Sequence, residues 1–116
     1  MGKKILIVDD DIAVCVLVNA IVRKLGYQSA MATDGCEAIK ILEKDRTISM
    51  VITDINMPLM NGFVLLEKIW QHFPHLKIIV MTSDISEKLS SLKNQVFGIV
   101  DKFDLFHSLA GIFESL

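Results

Sequence analysis

Three short runs of almost continuously apolar residues, rich in β-branched side chains, constrain the fold of this chain more than any other feature. They cover residues 4–8, 50–53 and 77–81. A strand that is apolar on both sides has to be covered on both faces, which is typical of a parallel sheet with helices on each side. The runs therefore predict the three central strands of such a sheet.

Weaker runs and helical segments complete the pattern. Residues 29–32 and 98–100 are shorter and less apolar, and we expect the first of these two strands at or near an edge of the sheet. Amphipathic segments separate the strands. The residues that can open these helices are Asp11, Asp34, Asn61, Asp84 and Asp104. Gly26 and Pro74 mark the ends of the first and third helices. This alternation predicts a doubly wound α/β domain with right-handed crossovers.

Polar and charged side chains follow the predicted strands, at the point where each strand ends. They are Asp9 and Asp10 after the first strand, Asp54 after the third, Thr82 and Ser83 after the fourth, and Lys102 after the fifth. The carboxyl ends of parallel strands lie at one edge of an open sheet, where ligands bind. We therefore expect these side chains, which are distant in the sequence, to meet in one pocket.

The three aspartates Asp9, Asp10 and Asp54 predict a metal site. Carboxylates held within a few ångströms repel one another by about 3 kcal/mol per pair at an effective dielectric of about 20, so a cation has to compensate them. Mg²⁺ prefers oxygen ligands and keeps several water molecules. We expect Asp10 and Asp54 to bind the ion directly, and Asp9 to act through a water or from behind the direct ligands.

With a cation bound, the ionised Asp54 carboxylate is placed to attack a phosphorus atom as a nucleophile. Phosphoryl transfer needs little beyond positioning and charge neutralisation. Lys102 would supply a positive charge to one phosphoryl oxygen and Thr82 a hydrogen bond to another, while Ser83 or a backbone N–H would serve the third. An acidic pair before a helix is more often a solvated turn, but that interpretation leaves Asp54 and Lys102 at the matching strand ends unexplained.

Four motifs together resemble the receiver domain of response regulators. They read Ile-Leu-Ile-Val-Asp9-Asp10-Asp11, Val-Ile-Thr-Asp54-Ile-Asn-Met-Pro58, Met-Thr82-Ser83 and Asp-Lys102-Phe. The resemblance runs nearly the full length of the chain and implies a flavodoxin-like three-layer sandwich with strand order 2-1-3-4-5. It also implies Mg²⁺ dependence, with the backbone carbonyl of Asn56 as a further ligand, and a switch that involves Thr82 and Ile99.

The same resemblance implies a phosphoacceptor switch of a two-component system. Asp54 would receive the phosphoryl group from a phosphohistidine on a sensor histidine kinase or a phosphotransfer protein, and a downstream effector protein would bind the phosphorylated form differently. Such a domain assists its own phosphorylation and dephosphorylation but is not an enzyme acting on other substrates. We expect one domain over residues 1–116 without an attached output domain, and a weak homodimer is left open.

Two positions depart from the usual receiver pattern. Phe103 follows the lysine where receivers usually carry proline, and Ile99 replaces an aromatic residue that turns inward on activation. The main alternative is therefore a receiver-like docking module without phosphorylation. A phosphatase of the haloacid dehalogenase type would need a second aspartate where Asn56 stands. A flavin binder would need a neutral, hydroxyl-rich phosphate loop after the first strand.

Charge and hydropathy argue against several other classes. The 12 basic and 14 acidic residues leave a net charge of −2, without the Lys/Arg stripe that binds nucleic acid directly. The uncharged apolar stretch 12–22 is far shorter than the ~20 residues of a membrane span. Cys15 and Cys36 lack metal-ligand spacing, so we expect buried or half-buried reduced thiols. Together with the absence of a predicted membrane span, this leads us to expect a soluble, cytoplasmic protein.

Overall fold

A computed structural model describes residues 3–55, 62–83 and 95–114 of the chain. Within these ranges, five parallel strands form one sheet in the order β2-β1-β3-β4-β5. The strands are β1 (Lys4–Val8), β2 (Gln28–Ala32), β3 (Ile48–Asp54), β4 (Lys77–Thr82) and β5 (Gly98–Asp101). The helices are α1 (Ile12–Lys24), α2 (Gly35–Lys44), α3 (Gly62–His72) and α4 (Leu105–Glu114), and a 3₁₀ turn over Lys102–Asp104 precedes α4.

The sheet is covered on both faces, because consecutive side chains of a strand point to opposite sides. Leu6 and Val8 of β1 pack on the face that also buries residues of α2 and α3. Ile5 and Ile7 pack on the other face, against buried residues of α1 and α4. The predicted doubly wound, three-layer α/β sandwich with strand order 2-1-3-4-5 is thus confirmed, and β2 lies at an edge of the sheet as expected.

Strands β3, β4 and β5 each extend one residue further at the carboxyl end than the apolar runs predict. Asp54 is the last residue of β3 and Thr82 is the last residue of β4, although the sequence pattern placed both after their strands. The reason is that parallel pairing continues through polar residues: Asp54 pairs with Met81, and Thr82 with Asp101. The sheet itself therefore holds the backbone of both residues.

The predicted helix starts at Asp11 and Asp34 are confirmed. The Asp11 side chain accepts a hydrogen bond from the N–H of Ala13 at 3.0 Å, and the Asp34 side chain accepts one from the N–H of Glu37 at 2.8 Å. Gly26 follows α1 with a φ of 97°, a left-handed conformation that glycine adopts without steric cost. These caps set where α1 leaves the acidic end of β1 and where the chain turns back into β2.

The last helix starts where the sequence predicts, but an additional turn precedes it. The α-helix α4 begins at Leu105, directly after Asp104 as predicted, and a 3₁₀ turn over Lys102–Asp104 precedes it. Asp101 caps this turn, because its side chain accepts a hydrogen bond from the N–H of Phe103 at 2.8 Å. A proline at position 103 would have no N–H to donate. The side chain of Phe103 points into solvent and is 84% exposed.

The two cysteines are free thiols, as predicted. Cys15 is buried on the inner side of α1, whereas Cys36 is exposed on the first turn of α2. The expectation of buried or half-buried thiols is therefore correct for Cys15 and wrong for Cys36, because Cys36 lies on the solvent side of its helix.

Some predictions concern residues outside the described ranges. They are the start of the third helix at Asn61, the helix between β4 and β5 that Asp84 would open, and the backbone carbonyl of Asn56. These stay predictions. In the part of the chain that the structure describes, no helix has the length and apolar character needed to cross a membrane.

Candidate functional site

The register of the sheet brings Asp9 and Asp54 next to each other. Strands β1 and β3 are parallel and pair Val8 with Thr53, so the following residue of each strand lies at the same edge. The buried side chains two positions before each acid lie on the face covered by α1 and α4. Because side chains alternate along a strand, both acids project to that side as well.

Asp10 completes a cluster of three carboxylates. One side-chain oxygen of each of Asp9, Asp10 and Asp54 lies within 4.8 Å of the others. Asp9 is fully buried, Asp54 is 5% exposed, and Asp10 is exposed. The cluster is therefore open to solvent on the side of Asp10, where an ion or a phosphoryl donor can approach.

Lys102 lies between the two buried acids. Its Nζ is 2.8 Å from Oδ2 of Asp9 and 3.0 Å from Oδ2 of Asp54. Burial alone would lower the pKa of Lys102, but the contacts with the two carboxylates outweigh burial and raise that pKa above its ordinary value. The ammonium is thus charged at neutral pH. The sequence predicted that Lys102 reaches this pocket, but not that it bridges the acids themselves.

Asp9 is held firmly in an environment that disfavours its charge. Its Oδ1 accepts a hydrogen bond from the N–H of Asp11 at 2.9 Å. Its Oδ2 is buried and accepts no well-directed hydrogen bond from the described residues, so the approach of Lys102 at 2.8 Å is an ion-pair contact without good hydrogen-bond alignment. Burial raises the pKa of Asp9; Asp54 acts in the same direction, whereas Lys102 and the N–H of Asp11 oppose it.

These residues fit a hard divalent cation such as Mg²⁺. Three carboxylates and one ammonium leave net negative charge in a small pocket. Oxygen ligands of this kind suit Mg²⁺. Asp10 and Asp54 are the residues that could hold the ion, with Asp9 behind them.

The other predicted site residues lie at different distances from the acids. Thr82 is 1% exposed at the end of β4, and Ser83 is exposed immediately after it, at the same edge of the sheet. Ile99 in β5 is half-buried and packs against the apolar cluster on the α2 and α3 side, so it is not part of the acidic pocket. Asn56 lies outside the described residues.

Asp101 is a residue of this site that the sequence reasoning missed. It is the last residue of β5 and caps the turn that carries Lys102. The signal was present, because aspartate is among the preferred N-cap residues and stands directly before the lysine. The position of the Lys102 backbone therefore depends on this cap.

Comparisons with known proteins agree with one another. A family model described as the response regulator receiver domain matches residues 5–106. Sporulation initiation phosphotransferase F of Bacillus subtilis is 35% identical over 83 residues, which cover 72% of this chain and 66% of that protein. Chemotaxis protein CheY of Thermotoga maritima is 39% identical over 84 residues, which cover 72% of this chain and 69% of that protein.

Other relatives are longer than this chain. Transcriptional regulatory protein ZraR of Klebsiella oxytoca is 33% identical over 92 residues, which are 78% of this chain but 20% of that protein. Among solved structures, chemotaxis protein CheY4 of Vibrio cholerae superposes with a TM-score of 0.89 at 25% identity, covering 99% of this chain and 98% of its own. RcsB of Salmonella enterica serovar Typhimurium, bound to promoter rprA in the presence of phosphomimetic BeF3−, has a TM-score of 0.81 at 27% identity, with 98% and 63% covered.

Proposed function

This chain belongs to the response-regulator receiver family, and on that premise we propose that it is a phosphoacceptor switch of a two-component system, with Asp54 as the acceptor. The observation that carries the proposal is the position of the Asp54 carboxylate. It lies at the end of a central strand, 3.0 Å from the ammonium of Lys102 and within 4.8 Å of the carboxylates of Asp9 and Asp10.

Asp54 would act as the nucleophile of the transfer. One carboxylate oxygen attacks the phosphorus of a phosphohistidine; as the new O–P bond forms, the P–N bond breaks and its electron pair leaves with the donor imidazole. To reset the switch, a water oxygen would attack the phosphorus; the bond between the phosphorus and the Asp54 oxygen breaks, which releases inorganic phosphate and restores the carboxylate. The domain would thus assist its own phosphorylation and dephosphorylation while remaining a regulatory protein.

The residues around Asp54 would supply charge and orientation. Lys102 already lies beside the nucleophile and would turn an N–H toward one phosphoryl oxygen. Thr82, at the end of the neighbouring strand, would donate its hydroxyl to another oxygen. Mg²⁺, held by Asp10 and Asp54 with Asp9 behind them and the Asn56 carbonyl as a further ligand, would neutralise the negative charge that the phosphoryl oxygens bring.

The donor would be a sensor histidine kinase or a phosphotransfer protein, and the output would be a downstream effector protein. Phosphorylation adds about −1.5 to −2 charges. New contacts from those oxygens to Thr82 and Lys102 would shift the end of β4 and the start of the turn after β5 between two arrangements. Support comes from the relatives, which include a phosphotransferase, a chemotaxis protein and a transcriptional regulator.

A docking module without phosphorylation is the second candidate, and the exposure of Phe103 favours it. Phe103 presents a large aromatic side chain, 84% exposed, directly beside Lys102. It offers a contact for another protein whether or not Asp54 is modified. The two candidates differ in one measurable respect, which is whether Asp54 takes up a phosphoryl group.

The test is phosphorylation with acetyl phosphate and Mg²⁺, followed by intact-protein mass spectrometry. We expect one phosphoryl group per chain in the wild type and none in Asp54→Asn. Asp104→Asn is the matched control, because Asp104 is an exposed acid that contacts His107 and lies outside the cluster. Wild-type protein that gains no phosphoryl group would favour the docking module, and a gain that persists in Asp54→Asn would refute Asp54 as the acceptor.

A further inference from the structure

The thiol of Cys15 contacts the backbone of the acidic pocket. Cys15 lies on the buried side of α1, and its Sγ donates a hydrogen bond to the carbonyl oxygen of Asp9 at 3.3 Å. The same sulfur is 3.7 Å from the carbonyl oxygen of Ala32 at the end of β2. One buried side chain thus touches the ends of two strands next to the proposed phosphorylation site.

The contact restrains a peptide group whose orientation matters. The N–H of Asp9 donates to the carbonyl of Ala32 at 3.2 Å, and Oδ1 of Asp9 accepts from the N–H of Asp11 at 2.9 Å. The carbonyl of Asp9 belongs to the peptide that joins Asp9 to Asp10. The thiol of Cys15 holds that carbonyl, so it restrains the plane from which the Asp10 side chain departs.

We propose that Cys15 is a positioning residue of the acidic pocket: its thiol fixes the peptide between Asp9 and Asp10 and thereby aligns their carboxylates for a divalent cation. The inference rests on the metal-dependent phosphoacceptor function proposed above. It adds a residue on a helix, without direct contact to the ion, as a determinant of ion affinity. Groups that orient metal ligands from behind commonly affect affinity although they do not touch the metal.

The thiol is suited to this role because it keeps its proton. Burial raises the pKa of Cys15 to about 11, and the charge of Asp9 acts in the same direction. At neutral pH the side chain is therefore an S–H donor rather than a thiolate. The competing explanation is that Cys15 only fills the apolar cluster that α1 and α4 form with the sheet, of which it is also a member.

Two substitutions separate positioning from packing. Cys15→Ala removes the donor, and Cys15→Ser keeps a donor in a side chain of similar shape. The readouts are the dissociation constant for MgCl2, from a titration followed by NMR, and the thermal midpoint of each variant. Cys36→Ala is the matched control, because Cys36 is the exposed thiol on α2.

We expect Cys15→Ala to weaken Mg²⁺ binding by about three- to tenfold, the effect of losing one modest hydrogen bond behind a metal ligand. Cys15→Ser should stay within about twofold of the wild type, even if its thermal midpoint falls, and Cys36→Ala should match the wild type. A packing role predicts instead that Mg²⁺ affinity stays constant in all folded variants. Should Cys15→Ala not fold, Cys15→Val against Cys15→Ser makes the same comparison of donor and no donor.

The outcomes also separate this inference from the proposed function. If wild-type protein binds Mg²⁺ and Cys15→Ala binds it equally well, or if Ala and Ser weaken it equally, the positioning role is refuted while the phosphoacceptor proposal stands. If the wild type itself does not bind Mg²⁺, both are refuted together. Weaker binding in Cys15→Ala with recovery in Cys15→Ser supports the inference.

Discussion

Lys102 is the residue on which the electrostatics of the pocket depend. Opposite charges 3 Å apart attract by about 5 kcal/mol at an effective dielectric of about 20, before desolvation is counted, which exceeds the repulsion of about 3 kcal/mol between two nearby carboxylates. Lys102 makes two such contacts, with Asp9 and Asp54. The ammonium therefore holds the two buried carboxylates together. One ammonium does not neutralise three carboxylates, so the negative charge that remains, including that of Asp10, is available to a cation.

Thr82 allows a test of whether phosphorylation and switching are separate steps. It is buried at the end of β4, whereas Ser83 is the exposed neighbouring hydroxyl. We expect Thr82→Ala to leave phosphorylation by acetyl phosphate within about fivefold, because one neutral hydrogen bond contributes only about 1 kcal/mol. The same variant should lose most of the protection from hydrogen exchange that beryllofluoride induces in the wild type.

Ser83→Ala is the control for Thr82→Ala and should resemble the wild type in both measurements. Phosphate uptake is followed by intact mass, and the response to beryllofluoride by hydrogen exchange of β4 and β5. If Thr82→Ala abolished uptake of the phosphoryl group, the hydroxyl would act in the transfer itself and not in its transmission.

At the scale of elements, the strand ends carry the site. β3 and β4 each run through a polar residue, Asp54 and Thr82, so sheet pairing holds both backbones. β5 ends at Asp101, whose side chain caps the turn that presents Lys102. Each reactive group therefore lies in a strand or within two residues of its end. This rigidity favours a site whose geometry exists before any ligand binds.

At the amino ends of the strands, opposite the acidic pocket, an ion pair links β1 to the end of α2. Nζ of Lys4 lies 2.6 Å from Oδ2 of Asp45, and Asp45 follows the last residue of α2 and also accepts from the N–H of Thr47 at 3.0 Å. Lys4 and then Thr47 lower the pKa of Asp45 to about 2, from an ordinary value of 3.8. A lowered pKa means that the contribution of Asp45 to stability is present above its unfolded-state pKa and is lost as the pH falls through the folded-state value.

We expect Asp45→Asn to lower the thermal midpoint at neutral pH, and the difference from the wild type to shrink as the pH falls from about 4 toward 2. Thermal unfolding followed by circular dichroism at several pH values measures it. Lys4→Met should show the same pH dependence, and the double variant should lose little more than either single variant. A difference that stays constant across this range would mean that the ion pair is not the cause.

At the scale of the whole molecule, the charged pocket lowers the free energy of unfolding of the metal-free protein. Asp9 is fully buried beside another carboxylate, and burial raises its pKa. A raised pKa of an acid means that the folded state disfavours the ionised form, so the metal-free protein carries a cost at neutral pH. Such destabilised charge clusters are typical of functional sites.

Asp9→Asn should therefore stabilise the metal-free protein. We expect a thermal midpoint above that of the wild type in EDTA at neutral pH, because asparagine removes the buried charge. Lys102 keeps its contact with Asp54 in this variant. Added Mg²⁺ should raise the midpoint of the wild type but have much less effect on Asp9→Asn, because an ion that binds only the folded state stabilises it in proportion to its affinity. A lower midpoint for Asp9→Asn in EDTA would show that the pair with Lys102 outweighs the cost of burial.

The sequence by itself determined the order of strands and helices, the strand order of the sheet through the family resemblance, and the residues that stand at the strand ends. Apart from the strand order, these features are local, because apolar periodicity and cap residues act over a few neighbouring positions. Asp11 and Asp34 cap their helices as predicted for this reason. Asp104 likewise directly precedes the last α-helix, whereas the 3₁₀ turn before it, which Asp101 caps, was not predicted.

Only the tertiary structure decided how the charges are arranged. The three aspartates at the strand ends differ in solvent exposure: Asp9 and Asp54 are buried, whereas Asp10 is exposed. Lys102 bridges two of them, and the thiol of Cys15 reaches the backbone of Asp9. None of this can be seen in a local pattern, because desolvation and charge pairing depend on which strands lie side by side and on which helix covers them.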